Sequence, residues 1–282
     1  MDGMFLVDKE VGYTSHDVVA IIKKKFKVNK VGHTGTLDPF ATGLMIILVG
    51  KATKLSERLI SAHKTYQGVM VFGTQYDTDD ITGQVISEKP SHINEQEINQ
   101  MMQSFVPSYL QMPPQYSAKK VDGVKSYEAA RKGRTIKLTP KEVFISQFEN
   151  INFENGKLTF NVDVSSGTYI RSLAHDLGEK LNTYGALESL RRTRIEKYTV
   201  NQAKTLNQLT ENDLINHQVL FDQYPKLELN DYLVGLVKNG VMLDERQTNM
   251  KESFVVINQH GNYIAAYEPI QNTKQYRIFY LF

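Results

Sequence analysis

The sequence predicts an α+β protein with a small, mostly β appendage at its C-terminal end. Three observations carry this. Apolar runs and strict apolar–polar alternation mark strands, above all at residues 44–49 and 158–164. Stretches of helical period lie between the strands, clearest at 94–106 and 170–181. Near Tyr224-Pro225 the pattern changes, and the remainder of the chain reads chiefly as short strands.

Taken in order, residues 4–7 form a short strand. Thr14 or Ser15 caps a helix beginning near His16, with Asp17 in its first turn. Val19, Ile22 and Phe26 give that helix its buried face, and its lysines fall outward. The next stretch, Gly32-His33-Thr34-Gly35-Thr36-Leu37-Asp38-Pro39-Phe40-Ala41-Thr42-Gly43, fits neither a helix nor an ordinary strand. Its glycines open positive-φ conformations, while Pro39 fixes its own φ and removes an N–H donor. Asp38, just before the proline, is biased toward extended backbone. The stretch runs into the buried strand 44–49, closed by Gly50. A carboxylate is therefore mounted on a stiff loop that leads into the core. Asp-Pro is also a common turn initiator. Against that, His33, Thr34 and Thr36 crowd polar groups against a core strand, where sites tend to lie.

A helix is expected over 52–62, then a strand over 64–73 with Tyr66, Gly68, Met70 and Phe72 on one face. Taken alone, Tyr66 reads as a core aromatic. Asn94 and Glu97 form a capping box for the helix 94–106, whose apolar stripe is Ile98, Met101, Met102 and Phe105. Pro107, Pro113 and Pro114 force irregular chain, followed by a hairpin within 116–123 and a short helix over 126–132. The strand 158–164 turns through Ser165-Ser166-Gly167-Thr168 into a helix that buries Ile170, Leu173, Ala174, Leu177 and Leu181. Arg171 and His175 sit together beside that stripe. A cation in the first turn of a helix opposes the helix dipole, so Arg171 calls for a partner carboxylate. From Asn201 the chain reads as polar and helical. After the change near Pro225 come a helical run at 233–241 and strands at 254–257, 263–267 and 276–282.

Composition narrows the class. There is no cysteine, which excludes disulfides and thiolate metal sites and suits a reducing cytoplasm. No stretch approaches the roughly 20 apolar residues of a membrane span, and no leader pattern opens the chain, so a soluble cytoplasmic protein is expected. The net charge of +2 says little, but its distribution says more. Basic clusters lie at Lys119–Lys120 through Lys141 (with Arg131 among them), at Lys23–Lys30, and at Arg191, Arg192, Arg194 and Lys197. Acidic residues gather elsewhere, at Asp77, Asp79, Asp80, Glu88, Glu95 and Glu97. Segregated charge suits a polyanionic partner, although one lysine run alone is more often a solvated face. No Walker loop, dinucleotide fingerprint or zinc-ligand spacing is present, so no cofactor and no metal are expected.

Gly-His-Thr-Gly-Thr-Leu-Asp-Pro-x-Ala-Thr-Gly closely resembles the central motif of the bacterial tRNA pseudouridine-55 synthases, the TruB type of pseudouridine synthase. Three further stretches resemble that family's motifs in the same order. Lys9-Glu10-Val11-Gly12 matches its first motif with Glu10 in place of the usual proline, a departure expected to loosen the loop around Lys9. Residues 116–133 match its Tyr-Ser-Ala-x-Lys stretch, and Ser166-Gly167-Thr168-Tyr169-Ile170-Arg171-Ser172-Leu173-Ala174 matches its third signature. The resemblance implies the pseudouridine synthase fold: a central, mostly antiparallel mixed sheet flanked by helices and loops at 1–228, with a small PUA-like RNA-binding domain at 229–282. It implies Asp38 as nucleophile, Arg171 as its ion-pair partner, and Tyr66 stacked on the target base and helping to move its proton. His33 would contact the RNA around a flipped-out uridine. Tyr169 and Leu190 would line the base pocket, and Lys9, Lys119 and Arg131 would hold RNA. The implied activity is isomerisation of uridine 55 in the T-arm of tRNA, by a monomer that needs no cofactor. Two other classes stay open on the residues alone: a nucleoside or glycoside hydrolase, which needs a second carboxylate as acid, and a non-catalytic RNA-binding module.

Overall fold

A computed structural model describes residues 1–60, 62–114, 120–121, 124–125 and 138–282 of the chain. Its main sheet is built from β1 (Gly3–Lys9), β2 (Val31–His33), β3 (Thr42–Val49) and β4 (Lys64–Phe72), joined by later strands. A small ribbon pairs β5 (Thr74–Tyr76) with β6 (Val85–Glu88); β7 (Ser108–Gln111) is the far edge of the main sheet. The hairpin expected within 116–123 is displaced along the chain: β8 (Lys120–Val121) and β9 (Val124–Lys125) pair antiparallel. The helix expected over 126–132, together with Lys119 and Arg131, lies outside the described residues. The main sheet continues through β10 (Lys141–Glu154), β11 (Lys157–Val164), β12 (Gly185–Ile195), β13 (Tyr198–Thr199) and β14 (Ile215–Asn216). Its strand order is β14-β1-β3-β12-β4-β11-β10-β7, with β2 beside β3 and β13 beside β12.

Among the described paired strands of this sheet, β3 and β12 alone run parallel, and they meet through just two register pairs, Arg191↔Thr42 and Arg192↔Gly43. This seam divides the sheet into two antiparallel halves. The continuous apolar run of β3 is explained by burial on both faces. Met45, Ile47 and Val49 enter the larger core with Phe5, Val7 and the helix α1 (Ser15–Lys25), while Leu44, Ile46 and Leu48 enter a second layer with Met4, Leu6, Ile195 and Tyr198. Of the two candidate caps, Thr14 rather than Ser15 caps α1, and it closes a capping box with Asp17 that the sequence reading did not name. Its buried face uses Val18 alongside Ile22 and Phe26, with Val19 only half-buried.

The helix α2 (Ser56–Ile60) is shorter than the expected 52–62. A 3₁₀ stretch, Gly50–Leu55, precedes it, because Thr53 Oγ1 bonds back to the Gly50 carbonyl and Gly50 takes a φ of 62°. Lys64 Nζ then donates to the Ile60 and Ala62 carbonyls and closes the turn. The helix α3 (Glu95–Gln103) carries the predicted capping box of Asn94 and Glu97 and buries Ile98 and Met102. The helix α4 (Ile170–Lys180) packs its apolar stripe on the same core. After residue 200 the expected helix gives way to short 3₁₀ turns around β14. Thr199–Gln202 and Thr210–Asp213 cap such turns locally, and no apolar stripe extends them.

The C-terminal unit has a sheet of its own, ordered β15-β17-β18-β19-β16. It comprises β15 (Lys226–Glu228), β16 (Leu243–Asp244), β17 (Phe254–Ile257), β18 (Tyr263–Pro269) and β19 (Gln275–Leu281), with the helix α5 (Asp231–Lys238) on its core. Leu55 and Phe221 from the first part of the chain pack directly on Val255, Ala266 and Tyr280. No helix among the described residues is long and apolar enough to cross a membrane.

Gly43 tests the seam. Its φ is 106°, and a Cβ there would lie 2.3 Å from the Arg192 carbonyl oxygen and 2.7 Å from its nitrogen. Gly43→Ala should therefore cost more than about 2 kcal/mol in urea unfolding, from backbone strain and overlap together. Gly235→Ala, in α5 with open space around it, should leave stability unchanged or raise it by up to about 1 kcal/mol.

Candidate active site

The antiparallel pairing of β2 with β3 (His33↔Ile47) shortens the irregular stretch read from the sequence: Gly32 and His33 belong to a strand, and the loop proper is the bend that comes after them. Three contacts fix this bend. Ser15 Oγ accepts from Leu37 N at 2.8 Å, Ala41 N donates to the Asp38 carbonyl at 3.1 Å, and Gly12 N donates to the Pro39 carbonyl at 2.9 Å. The Asp38 side chain emerges from it 34% exposed.

Arg171 meets Asp38 from the other half of the sheet. Its Nε donates to Oδ2 at 2.8 Å and its Nη2 to Oδ1 at 3.1 Å, a fork-on-fork ion pair. The guanidinium is buried, with 6% of the side chain exposed, and its Nη1 donates to the Thr78 carbonyl at 3.0 Å. The carboxylate that the helix dipole argument demands is thus Asp38, together with Asp80, whose Oδ2 lies 4.0 Å from Arg171 Nε. Asp80 is 4% exposed and its Oδ1 accepts from Thr82 N and Thr82 Oγ1. In the sequence the acidic stretch 77–80 stands apart from the basic clusters. The structure folds it against Arg171, and the Asp80-x-Thr82-Gly83 turn is the one local signal of this.

Gln111, buried on β7, holds the start of α4: its Oε1 accepts from Tyr169 N at 2.8 Å and its Nε2 donates to Tyr169 O at 3.0 Å. That places Tyr169 at the N-cap, half-buried, two residues before Arg171. Tyr66 and Leu190 are nearly buried and belong to one apolar cluster with Leu37 of the loop. Tyr66 is the cross-strand partner of Arg192, and Leu190 that of Gly68. His33 Nδ1 accepts from Gly35 N at 3.2 Å, which puts its proton on Nε2; burial, and then the charge of Arg192, holds its pKa below the usual value.

Two expectations about cations fail. Lys9 is fully buried, and its Nζ donates to the carbonyls of Glu10, Tyr13 and Pro39 at 2.8–3.3 Å. It braces the loop from beneath and has no surface to offer RNA, and the loop that Glu10 was expected to loosen is fastened through it. Burial brings its pKa down to about 8, against the attraction of Asp38. Arg192 of the 191–197 cluster is internal as well, whereas Arg191 and Arg194 keep 40% and 48% of their side chains exposed. Arg191 pairs with Asp8 at 2.7 Å, Arg194 with Asp163 at 2.6 Å, and Arg192 is 1% exposed. Lys23, Lys24, Lys25, Lys27 and Lys30 remain exposed.

A second ion pair links α4 to the same acidic stretch, 77–80. His175 Nδ1 lies 3.0 Å from Asp79 Oδ1, with Asp176 and Glu179 also nearby. The hydrogen bond to Asp79 outweighs burial and lifts the His175 pKa to about 9. A histidine whose folded pKa exceeds its unfolded value of about 6.5 stabilises fully below that pH and loses the contribution as pH rises through the folded value. The melting temperature of wild type should therefore exceed that of His175→Gln at pH 6, and calorimetry should find the gap closing by pH 10.

A family profile described as TruB family pseudouridylate synthase (N terminal domain) matches residues 23–170, and one described as tRNA pseudouridylate synthase B C-terminal domain matches residues 171–234. The chain is 52% identical over 282 residues, covering 100% of both proteins, to the tRNA pseudouridine synthase B of Acholeplasma laidlawii (strain PG-8A). It is 38% identical over 247 residues to the protein of the same name from Aquifex aeolicus (strain VF5), covering 85% of this chain and 86% of the relative. Among solved structures, a chain from the crystal structure of a Cbf5-Nop10-Gar1 complex superposes with a TM-score of 0.73 at 25% identity, covering 98% of this chain and 83% of that one. The chain belongs to the TruB family of pseudouridylate synthases.

Proposed function

We propose that this enzyme converts uridine 55 in the T-loop of tRNA to pseudouridine, with Asp38 as the nucleophile. One observation carries the reading: a reachable carboxylate clamped by a buried, bidentate arginine. The tRNA substrate is taken from the relatives named tRNA pseudouridine synthase B. The reaction breaks the bond between C1′ and N1 of uridine, turns the uracil, joins C5 to C1′ and moves the C5 proton away. Atoms balance without an added reactant, and the groups required are a carboxylate that stays charged and a pocket that holds a loose base. The Arg171 fork pairs with the carboxylate and fixes its direction. Flipping the uridine costs a few kcal/mol, and stacking on Tyr66, worth about 1–3 kcal/mol, offsets much of it. Neutral His33, whose Nδ1 is occupied by the Gly35 amide, would donate its Nε2–H to RNA where the base has left the stack. Tyr169 and Leu190 would line the base pocket. Lys119 and Arg131 would hold phosphates of the T-arm, and the small C-terminal domain would add a PUA-like surface for the same RNA. A cytoplasmic monomer fits this role.

Incubation with unmodified tRNA and mapping of the product tests the proposal. Wild type should place pseudouridine at position 55, and Asp38→Asn should abolish it while tRNA binding stays within about threefold. Free uracil in the products would instead mark a hydrolase, and binding with no product in wild type would mark a pure RNA binder. Arg171→Lys keeps the charge and loses the fork, so kcat should fall at least about 100-fold; near-normal turnover would remove Arg171 from the site.

A further inference from the structure

Arg192 is buried to 1% exposure, yet among the described residues no carboxylate lies within 4.0 Å of its guanidinium. A buried charge without a counter-ion is costly unless its protons are taken up. Here they are taken up by backbone carbonyls of two segments. Nε donates to Leu44 O at 2.7 Å, Nη2 to Gly35 O at 3.2 Å and Nη1 to Thr36 O at 3.4 Å. Leu44 opens the buried run of β3, and Gly35 and Thr36 begin the bend that carries Asp38. The approach is close: a Cβ on Gly35 would stand 3.5 Å from Arg192 Nη1. The backbone of Arg192 is itself pressed on Gly43 at the parallel seam, and its cross-strand partner on β4 is Tyr66. One residue therefore touches the Asp38 bend, the strand after it and the strand carrying Tyr66.

From this geometry we propose that Arg192 is a positioning residue, whose fork sets the Asp38 bend relative to the half of the sheet that supplies Arg171 and Tyr66. It touches no substrate. A contribution to RNA affinity, which its place in a basic cluster suggests from sequence, is ruled out by its burial. The inference rests on the pseudouridine synthase reading for its kinetic part and on the protein alone for its structural part.

The test uses Arg192→Met, which keeps bulk and loses the fork, and Arg192→Lys, which reaches at most part of the carbonyl set. Hydrogen exchange in RNA-free protein comes first. The Leu37 and Ala41 amides, which bond to Ser15 Oγ and the Asp38 carbonyl, should exchange at least tenfold faster in Arg192→Met. Amides in β10 and β11 should keep their protection. Steady-state kinetics on tRNA should show kcat down at least tenfold with KM within twofold, and Arg192→Lys should fall between wild type and Arg192→Met in both measurements. Unchanged exchange at Leu37 and Ala41, or loss of protection throughout the sheet, would overturn the proposal. So would a change confined to KM. A wild type that forms no pseudouridine would sink the functional reading instead and leave the exchange result to decide the role of Arg192. Should Arg192→Met fail to fold, Arg192→Lys carries the same comparison.

Discussion

The ion pair between Asp38 and Arg171 joins two parts of the chain that lie 133 residues apart in sequence. Asp38 rides on a bend between β2 and β3, and Arg171 on the first turn of α4, which β7 holds in place through Gln111. The bidentate geometry means that neither side chain can shift without the other losing a hydrogen bond. Everything that fixes the bend or the helix start therefore fixes the carboxylate. Thr78 O and Asp80 complete the enclosure of the guanidinium from a third direction, so the arginine is held even where the acid remains open to solvent.

The seam between β3 and β12 is the weak place in such a design, since two register pairs are few for a junction inside a sheet. It is reinforced on both faces by consecutive arginines. Arg191 reaches Asp8 and Thr42 on one side, and Arg192 reaches carbonyls on the other. Lys9 and Lys64 follow the same chemistry as Arg192, each directing its ammonium to backbone oxygens. In Lys9, Lys64 and Arg192 a buried charge thus serves as internal bracing for polar backbone that irregular loops would otherwise leave unsatisfied.

Much of this is legible in the sequence, for physical reasons that differ by element. The strands at β3 and β11, the capping box at Asn94 and the stripe of α4 are local patterns, and they fold as read. Asp38 and Arg171 are legible because a motif and a dipole argument each point to one partner. What fails is contact distant in sequence that no motif marks. Lys9 and Arg192 look like surface cations in one dimension, because nothing in the local sequence marks the carbonyls waiting for them. Asp80 looks like part of an acidic patch because its guanidinium lies 91 residues downstream. The 3₁₀ turns after residue 200 lack the apolar spacing that would lengthen them.

The fastening of the C-terminal sheet has a consequence of its own. Arg58 of α2 lies 3.7 Å above the Phe279 ring and pairs with Glu268, which Arg277 also grips at 2.8 Å. Beside it, Phe221 is ringed by Tyr224, Phe279, Tyr280 and Phe282. A chain cut short before this sheet would carry a bare aromatic face into water, and such a face invites self-association. Trimming the tail to make a minimal catalyst would thus yield aggregates, whatever the intact tail contributes to gripping RNA.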